Sequence, residues 1–268
     1  MDSATFDKFR RFIYEQSGIT LRPGKEALLS SRISSRMRSL SLEDVRKYYD
    51  RVSNDDGQEV IYLLDAISTN VTSFFREGEH FEVLDQHLGS LHKSGKRKFR
   101  LWSAACSSGE EPYSMTMTAV QKLGDGADCR TLATDISTRI LAEAKRGDYD
   151  EGRIMGVPRA FLAKFFEKRS EAERSLYSVS RSVRDKVSFS RINLSKPPFP
   201  MKGPFDAIFC RNVMIYFDPE VRGRLIREMV RLLAPDGLLF VGHSETLTPA
   251  TCGLKSILPS VYRRESPT

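Results

Sequence analysis

Through the first quarter of the chain, apolar residues return every three to four positions between polar ones. In FDKFRRFIYEQSGI, Phe6, Phe9, Phe12 and Ile13 share one stripe at helical spacing, and Gly18 closes the pattern before the Pro23-Gly24 turn. KEALLSSRISSRMRSL repeats it with Leu29, Ile33, Met37 and Leu40. SLEDVRKYYDRV, opened by Ser41 as an expected N-cap, and GQEVIYLLDAIS add a third and a fourth helix. No alternating stretch interrupts them, so residues 1–68 are predicted to form an all-α domain, with a linker and connecting helix over 69–97.

From residue 98 onward the pattern changes to apolar runs alternating with amphipathic ones. FRLWSAA, CRTLATDIS, KVSFSRINL, FDAIFCRNVMIYF and LLFVGHSE read as strands, and SVYRRE as an edge strand. EEPYSMTMTAVQKL, with Pro112 in its first turn, TRILAEAKRGDY and PEVRGRLIREMVRLLAPDG read as helices. This alternation predicts an α/β domain over 98–268, a mostly parallel sheet with helices on both faces. One segment departs from it. A helix expected over Pro158–Arg169 leads into the alternating SLYSVSRSV, read as an insertion with its own small antiparallel sheet at about 172–190.

Composition narrows the class only moderately. The 268 residues are 40% hydrophobic and 29% charged, ordinary for a globular chain. No apolar run is long enough for a membrane span, and the N-terminus does not read as a secretory signal. The four cysteines, Cys106, Cys129, Cys210 and Cys252, lack CxxC or CxxH spacing, so neither zinc nor a disulfide framework is expected and the cytoplasm is the expected compartment. The net charge of +7 favours an acidic partner or is simply a solvated basic surface.

The candidate chemistry collects at strand ends, where open parallel sheets bind ligands. SAACSSGEEPYS follows the first strand, with Ser107, Ser108 and Gly109 able to make a tight turn before Glu110 and Glu111. A phosphate would be repelled by two carboxylates, whereas a cationic nucleoside such as S-adenosylmethionine would be welcomed. Helix-dipole stabilisation accounts for the same two acids without any ligand. Asp135 ends TLATD, placed either to hold a ribose diol or to cap the next helix, a task Ser137 can also perform. Asn193-Leu194 suits an adenine edge, and Cys210-Arg211-Asn212 ends the central strand. In the linker STNVTSFFRE, Asn70, Thr72 and Arg76 offer polar contacts, while Phe74 and Phe75 are either binding surface or core.

Together TNVTSFFRE, SAACSSGEEPYS, ATDIS, FDAIFCRNVMIYF and LLAPDGLLFVGHSE resemble the chemotaxis receptor methyltransferase family (CheR), from about Phe6 to Tyr262. The resemblance implies a helical N-terminal domain, a linker and a Rossmann-like methyltransferase domain with a small antiparallel β-subdomain. It implies methyl transfer from S-adenosylmethionine to glutamate side chains of a chemoreceptor's cytoplasmic helical bundle, leaving S-adenosylhomocysteine. Cofactor contacts are implied for Asn70, Thr72, Arg76, Glu111, Asp135, Asn193, Leu194, Cys210 and Arg211. From their positions, Tyr216 is a candidate for orienting the acceptor, and Arg76 for pairing the methionyl carboxylate or orienting the incoming substrate. An ionised glutamate needs no general base; His80, His87 and His92 are expected to be surface or capping residues, and His243 part of a turn.

Arg32, Arg36 and Arg38 of the second helix are candidates for docking an acidic receptor bundle, or else a solvated face. FEKRSEAERSLYSVSRSVRD lacks the glycine-containing loop with which some members bind a receptor's C-terminal tail, so direct docking is expected. Rival functions are a nucleic-acid methyltransferase and a non-catalytic sensor of the cofactor. Cys-Arg-Asn-Val stands where the first would carry an Asn/Asp-Pro-Pro-aromatic tip, so nucleic acid is not an expected partner. No membrane insertion and no metal are expected, and a monomer is the expected state.

Overall fold

A computed structural model describes residues 1–55, 57–67, 71–124, 126–171, 174–248 and 253–264. The chain folds as two compact units, one comprising 1–70, 193–197 and 216–225, the other 71–192, 198–215 and 226–268.

The first unit carries four helices, α1 (Ser3–Ser17), α2 (Glu26–Ser39), α3 (Val45–Ser53) and α4 (Gln58–Ile67). Phe6, Phe9, Ile13, Leu29, Ile33, Tyr48, Val52, Leu63 and Leu64 are all buried, so the helical stripes supply its core. Asp2 caps α1 by accepting from Thr5 N, and Gly18 ends it at φ +72. The α3 cap is Asp44, which accepts from Arg46 N, and not Ser41, which adopts φ +54 in the preceding turn.

In the second unit, α5 (Glu79–Lys93) precedes β1 (Lys98–Ser103), α6 (Glu110–Leu123), β2 (Asp128–Asp135) and α7 (Thr138–Arg146). After β3 (Asp148–Asp150), α8 (Arg159–Phe165), β4 (Phe166–Glu171), β5 (Arg174–Val179) and α9 (Arg181–Arg184), the chain enters β6 (Val187–Arg191) and β7 (Phe205–Cys210). A 3-10 turn over Met214–Tyr216 and the helix α10 (Pro219–Leu232) lead to β8 (Leu233–Val241), β9 (Leu254–Leu258) and β10 (Val261–Arg264).

Seven strands form one sheet in the order β6-β2-β1-β7-β8-β10-β9. The pairings from β6 through β8 are parallel, and β10 and β9 close the sheet antiparallel. Strand order reverses between β1 and β7, the position at which such sheets open a crevice beyond their carboxyl ends. Both strands are buried almost throughout, as their continuous apolar runs require. One core cluster joins Leu84, Leu88, Phe99, Leu101, Phe209 and Phe240; another joins Tyr113, Met117, Tyr149, Phe165 and Val179.

The smaller sheet has the order β3-β5-β4 and therefore spans 148–179. This corrects the expected 172–190: β6, at 187–191, belongs to the large sheet. The helix expected to reach Arg169 stops at Phe165, because FEKRSE pairs with β5 from Phe166↔Val179 to Glu171↔Arg174. That antiparallel ladder overrides the helical preference of Glu, Lys and Arg. Likewise α10 ends at Leu232, and the APDG expected to close it lies inside β8.

Candidate active site

The turn after β1 is fastened to both neighbouring strands. Ala104 N donates to Phe209 O at 2.8 Å, and Cys106 N to Thr134 O at 2.9 Å. Ser107 N donates to the Asp135 Oδ2 at 2.9 Å. Ser107 and Gly109 take φ +47 and +98. Gly109 is required twice over: its backbone is left-handed, and a Cβ would stand 2.9 Å from Tyr149 Oη and 3.0 Å from Ala144 Cβ. Asp135 also accepts from Ser137 N, but the cap of α7 is Ser137, whose Oγ accepts from Ile140 N at 3.1 Å. Capping is thus not what holds Asp135 at the strand tip.

The two glutamates that follow have different surroundings. Glu110 is 1% exposed and faces inward to Arg153, which donates from Nε at 2.9 Å and also from Nη2, while Ser108 Oγ donates to its other oxygen at 2.8 Å. Arg153 also pairs with Glu143 at 2.8 Å and lies over the Tyr149 ring, whose hydroxyl donates to Ser108 O. Glu110 therefore braces the turn from beneath. Glu111 remains half-buried at its mouth, accepting from Ser103 Oγ at 2.7 Å and facing Arg211 Nη1 at 3.2 Å. Burial pushes its pKa up, against the pull of the Arg211 guanidinium.

Arg211 is the hub of this end of the sheet. Its side chain is 2% exposed and reaches Glu111, Glu77 at 3.0 Å and the carbonyl of Arg76. Burial would raise the Glu77 pKa, but the Arg211 charge outweighs it and holds the carboxyl below its ordinary value. The linker is thereby anchored beside β7, with Phe75 and Glu77 at φ +53 and +54. Beyond β8, Glu245 is 6% exposed and accepts from Asn212 N, Gly242 N and Ile215 N at 2.7, 2.8 and 3.2 Å, so one carboxylate fixes two strand-end loops.

Residues 4–68 match the all-alpha domain of CheR methyltransferase, and residues 70–260 match the CheR methyltransferase SAM-binding domain. The chain belongs to the CheR methyltransferase family. It is 37% identical to the chemotaxis protein methyltransferase of Salmonella typhimurium over 250 residues, covering 92% of this chain and 85% of that one. With chemotaxis protein methyltransferase 2 of Pseudomonas aeruginosa the identity is 38%, over 96% of this chain and 91% of the relative. With the Borreliella burgdorferi chemotaxis protein methyltransferase it is 35%, over 95% and 92%. This CheR-family chain is accordingly a methyltransferase that uses S-adenosylmethionine.

The remaining expected positions are sorted by the CheR fold. Arg76 donates from Nη1 to Val71 O at 2.9 Å, and Thr72 is half-buried. Asn70 lies outside the described residues. Phe74 is core, edge-on to Tyr149 and Phe166, and Phe75 packs on Phe81 and Phe161. Cys210 is 0% exposed and its thiol pKa is pushed far up by burial, so only its backbone faces the strand tip. In the first unit the Asn193 amide is occupied at both ends, donating to Gln16 O at 2.7 Å and accepting from Ser195 N and Oγ. Leu194 is buried there, and Tyr216, half-buried, accepts from Thr20 N through its carbonyl.

One docking candidate is already engaged within its unit, and one expectation requires correction. Arg36 is not a free docking cation: it holds Glu59 through two bonds of 2.8 and 2.6 Å and stacks on Tyr62, whereas Arg32 and Arg38 are exposed. His80 is no surface residue but 2% exposed, and burial together with the Arg211 charge lowers its pKa to about 4. Its ring packs edge-on to Phe240, an environment that local spacing does not reveal. Glu77, Glu245 and Arg153 were missed for a similar reason. Each acts on a partner distant in the chain, and only the REG and GHSE strings flanking expected positions hinted at the first two.

Proposed function

We propose that this chain transfers the methyl group of S-adenosylmethionine to glutamate side chains on the cytoplasmic helical bundle of a chemoreceptor, giving methyl esters for sensory adaptation. It is read as a cytoplasmic monomer that docks on the bundle directly, without a C-terminal receptor tail. The observation that carries the reading is the half-buried Glu111 at the mouth of the β1 turn, held by Ser103 and Arg211.

Charge balance supports the fit. The cofactor carries a sulfonium, an ammonium and a carboxylate, a net positive charge. Glu77, Glu111 and Asp135 against Arg76 and Arg211 give this end of the sheet a net negative one. Glu111 would receive the ammonium and Asp135 the ribose hydroxyls. Arg211, whose donors serve Glu111, Glu77 and the Arg76 carbonyl, would position these groups, and Cys210 would contribute backbone only. Thr72, Asn193 and Leu194 would complete the cofactor contacts, as the resemblance implies, and Tyr216, a few residues beyond the central strand, would orient the acceptor. The bound cofactor supplies an electrophilic methyl carbon beside a good leaving group. An acceptor carboxylate is already ionised at neutral pH, so the residues of the chain need only hold it in line and exclude water.

The test is transfer of labelled methyl groups to membranes bearing the host's chemoreceptors, intact or lacking their last few residues. Base-labile label on both is expected. Label on the intact receptor alone would overturn direct docking, and label on neither, with cofactor bound, would overturn the acceptor.

A further inference from the structure

Beside the Arg211 hub, three side chains from two distant stretches of the chain converge: Glu77 and His80, three residues apart around the start of α5, and His243 of the loop after β8. One donor atom from each lies within 4.8 Å of the others. Glu77 Oε2 stands 3.5 Å from His80 Nδ1 and 3.8 Å from His243 Nε2. Tetrahedral zinc with bonds of about 2.1 Å sets neighbouring donors about 3.4 Å apart, so two of these edges are already near that spacing. Glu79 Oε2, 3.4 Å from His243 Nε2, offers a fourth oxygen at the exposed rim.

His80 gives an independent indication of a ligand. It is 2% exposed, yet neither ring nitrogen has a hydrogen-bond partner. A buried imidazole with no hydrogen-bond partner is costly, and a bound metal would satisfy one of its nitrogens. Glu77, Glu79 and Glu111 outnumber Arg76 and Arg211, which leaves the neighbourhood net negative and attracts a cation.

We propose that Glu77, His80 and His243, with Glu79 at the rim, bind a divalent transition metal of the zinc class, and that the bound metal opposes cofactor binding. The opposition follows from Glu77 Oε2, the atom that also meets Arg211 Nη2 at 3.0 Å. A dication on that oxygen repels the guanidinium and withdraws Glu77 from it, and Arg211 is the group that holds Glu111. This second part rests on the cofactor reading of Glu111; the metal site itself does not. Cysteine spacing gave no sign of such a site because none of its ligands is a cysteine and His243 is far in the chain from the other three.

Cobalt(II) is the probe, titrated into the untagged, chelator-treated full chain and followed by its visible absorption. One-to-one saturation with the intense bands of a low-coordinate site is expected. His243→Ala, at a half-exposed position, should weaken binding at least about tenfold. His80→Phe, which fills the same apolar site without a ligand, should do the same. Absence of stoichiometric binding, or equal affinity in His243→Ala, overturns the site. Zinc should then weaken S-adenosylhomocysteine binding several-fold in calorimetry, an effect lost in His243→Ala. Unchanged affinity at metal saturation overturns the antagonism. Failure of the metal-free chain to bind S-adenosylhomocysteine counts against the cofactor reading instead, with the cobalt spectrum still deciding the site.

Discussion

Replacing Arg153 by alanine isolates what the buried half of the turn after β1 depends on. Glu110 is 1% exposed and Arg153 30% exposed; their pairing, with Ser108 and Tyr149, underlies the Ser107–Gly109 turn. Removing one member of a buried pair costs about 3–5 kcal/mol because the other charge stays desolvated, and the partial exposure of Arg153 favours the lower end, about 3 kcal/mol. Trp102, the sole tryptophan, is fully buried in β1 and donates to Thr134 Oγ1 at 2.9 Å, so its fluorescence follows unfolding of the sheet unit alone. With a urea m-value of about 2–3 kcal/mol/M, Arg153→Ala should lower the midpoint by about 1 M or more. In a Glu110→Gln background no charge is stranded, and the same substitution should cost only about 1 kcal/mol. An equal loss in both backgrounds would refute the argument, as would a loss below about 1 kcal/mol in the parent chain.

Asp135→Asn keeps the shape of the strand tip and its acceptor for Ser107 N but removes the charge. It should weaken S-adenosylhomocysteine binding by about tenfold in calorimetry, and affinity within twofold of the parent would exclude Asp135 from the ribose contact. Arg36→Ala should destabilise the helical unit by about 3 kcal/mol by stranding the buried Glu59, seen as an earlier calorimetric transition. Arg32→Ala with Arg38→Ala should instead leave stability within about 0.5 kcal/mol while slowing receptor methylation; the reverse pattern would return the docking role to Arg36. Glu228, 7% exposed, has its pKa lowered by hydrogen bonds from Arg231 and then Phe199 N, despite burial. Its contribution is therefore complete above the ordinary carboxylate pKa and lost as pH falls through the lower folded value. Glu228→Gln should unfold more readily than the parent at neutral pH, by Trp102 fluorescence, and the difference should shrink in acid. A difference that grows as pH falls would reverse the sign of this linkage.

Strand tips were readable in the sequence because a buried parallel strand is a continuous apolar run, and the polar residues that end it mark the carboxyl edge of the sheet. Ser107, Glu111, Asp135 and Arg211 were found in this way. The small sheet was misplaced because β4, FEKRSE, carries no apolar period, and its identity as a strand lies entirely in its pairing with β5. Polar partnerships were less legible still. Glu110 and Glu111 are neighbours with the same side chain, yet only the fold assigns one to Arg153 and the other to Arg211. Nothing local in GRIMG distinguishes Arg153, or in FREGEH the burial of His80.

The division between Glu110 and Glu111 bears on the chemistry proposed for this end of the sheet. An acceptor glutamate must bring a negative charge toward a region that already holds Glu77, Glu111 and Asp135, and unpaired carboxylates there would repel it. Arg211 answers two of the three with one buried guanidinium, and Asp135 accepts hydrogen bonds from Ser107 N and Ser137 N. Under that proposal, this end of the sheet would attract a cationic cofactor without presenting bare anions to the substrate. The cofactor, when bound, would supply a methyl carbon on a sulfonium, and the residues around Arg211 would serve by excluding water while an acceptor carboxylate approaches it. A buried, fully engaged arginine suits that task better than an exposed one, because it keeps the acids in place while the charges between cofactor and acceptor are being cancelled.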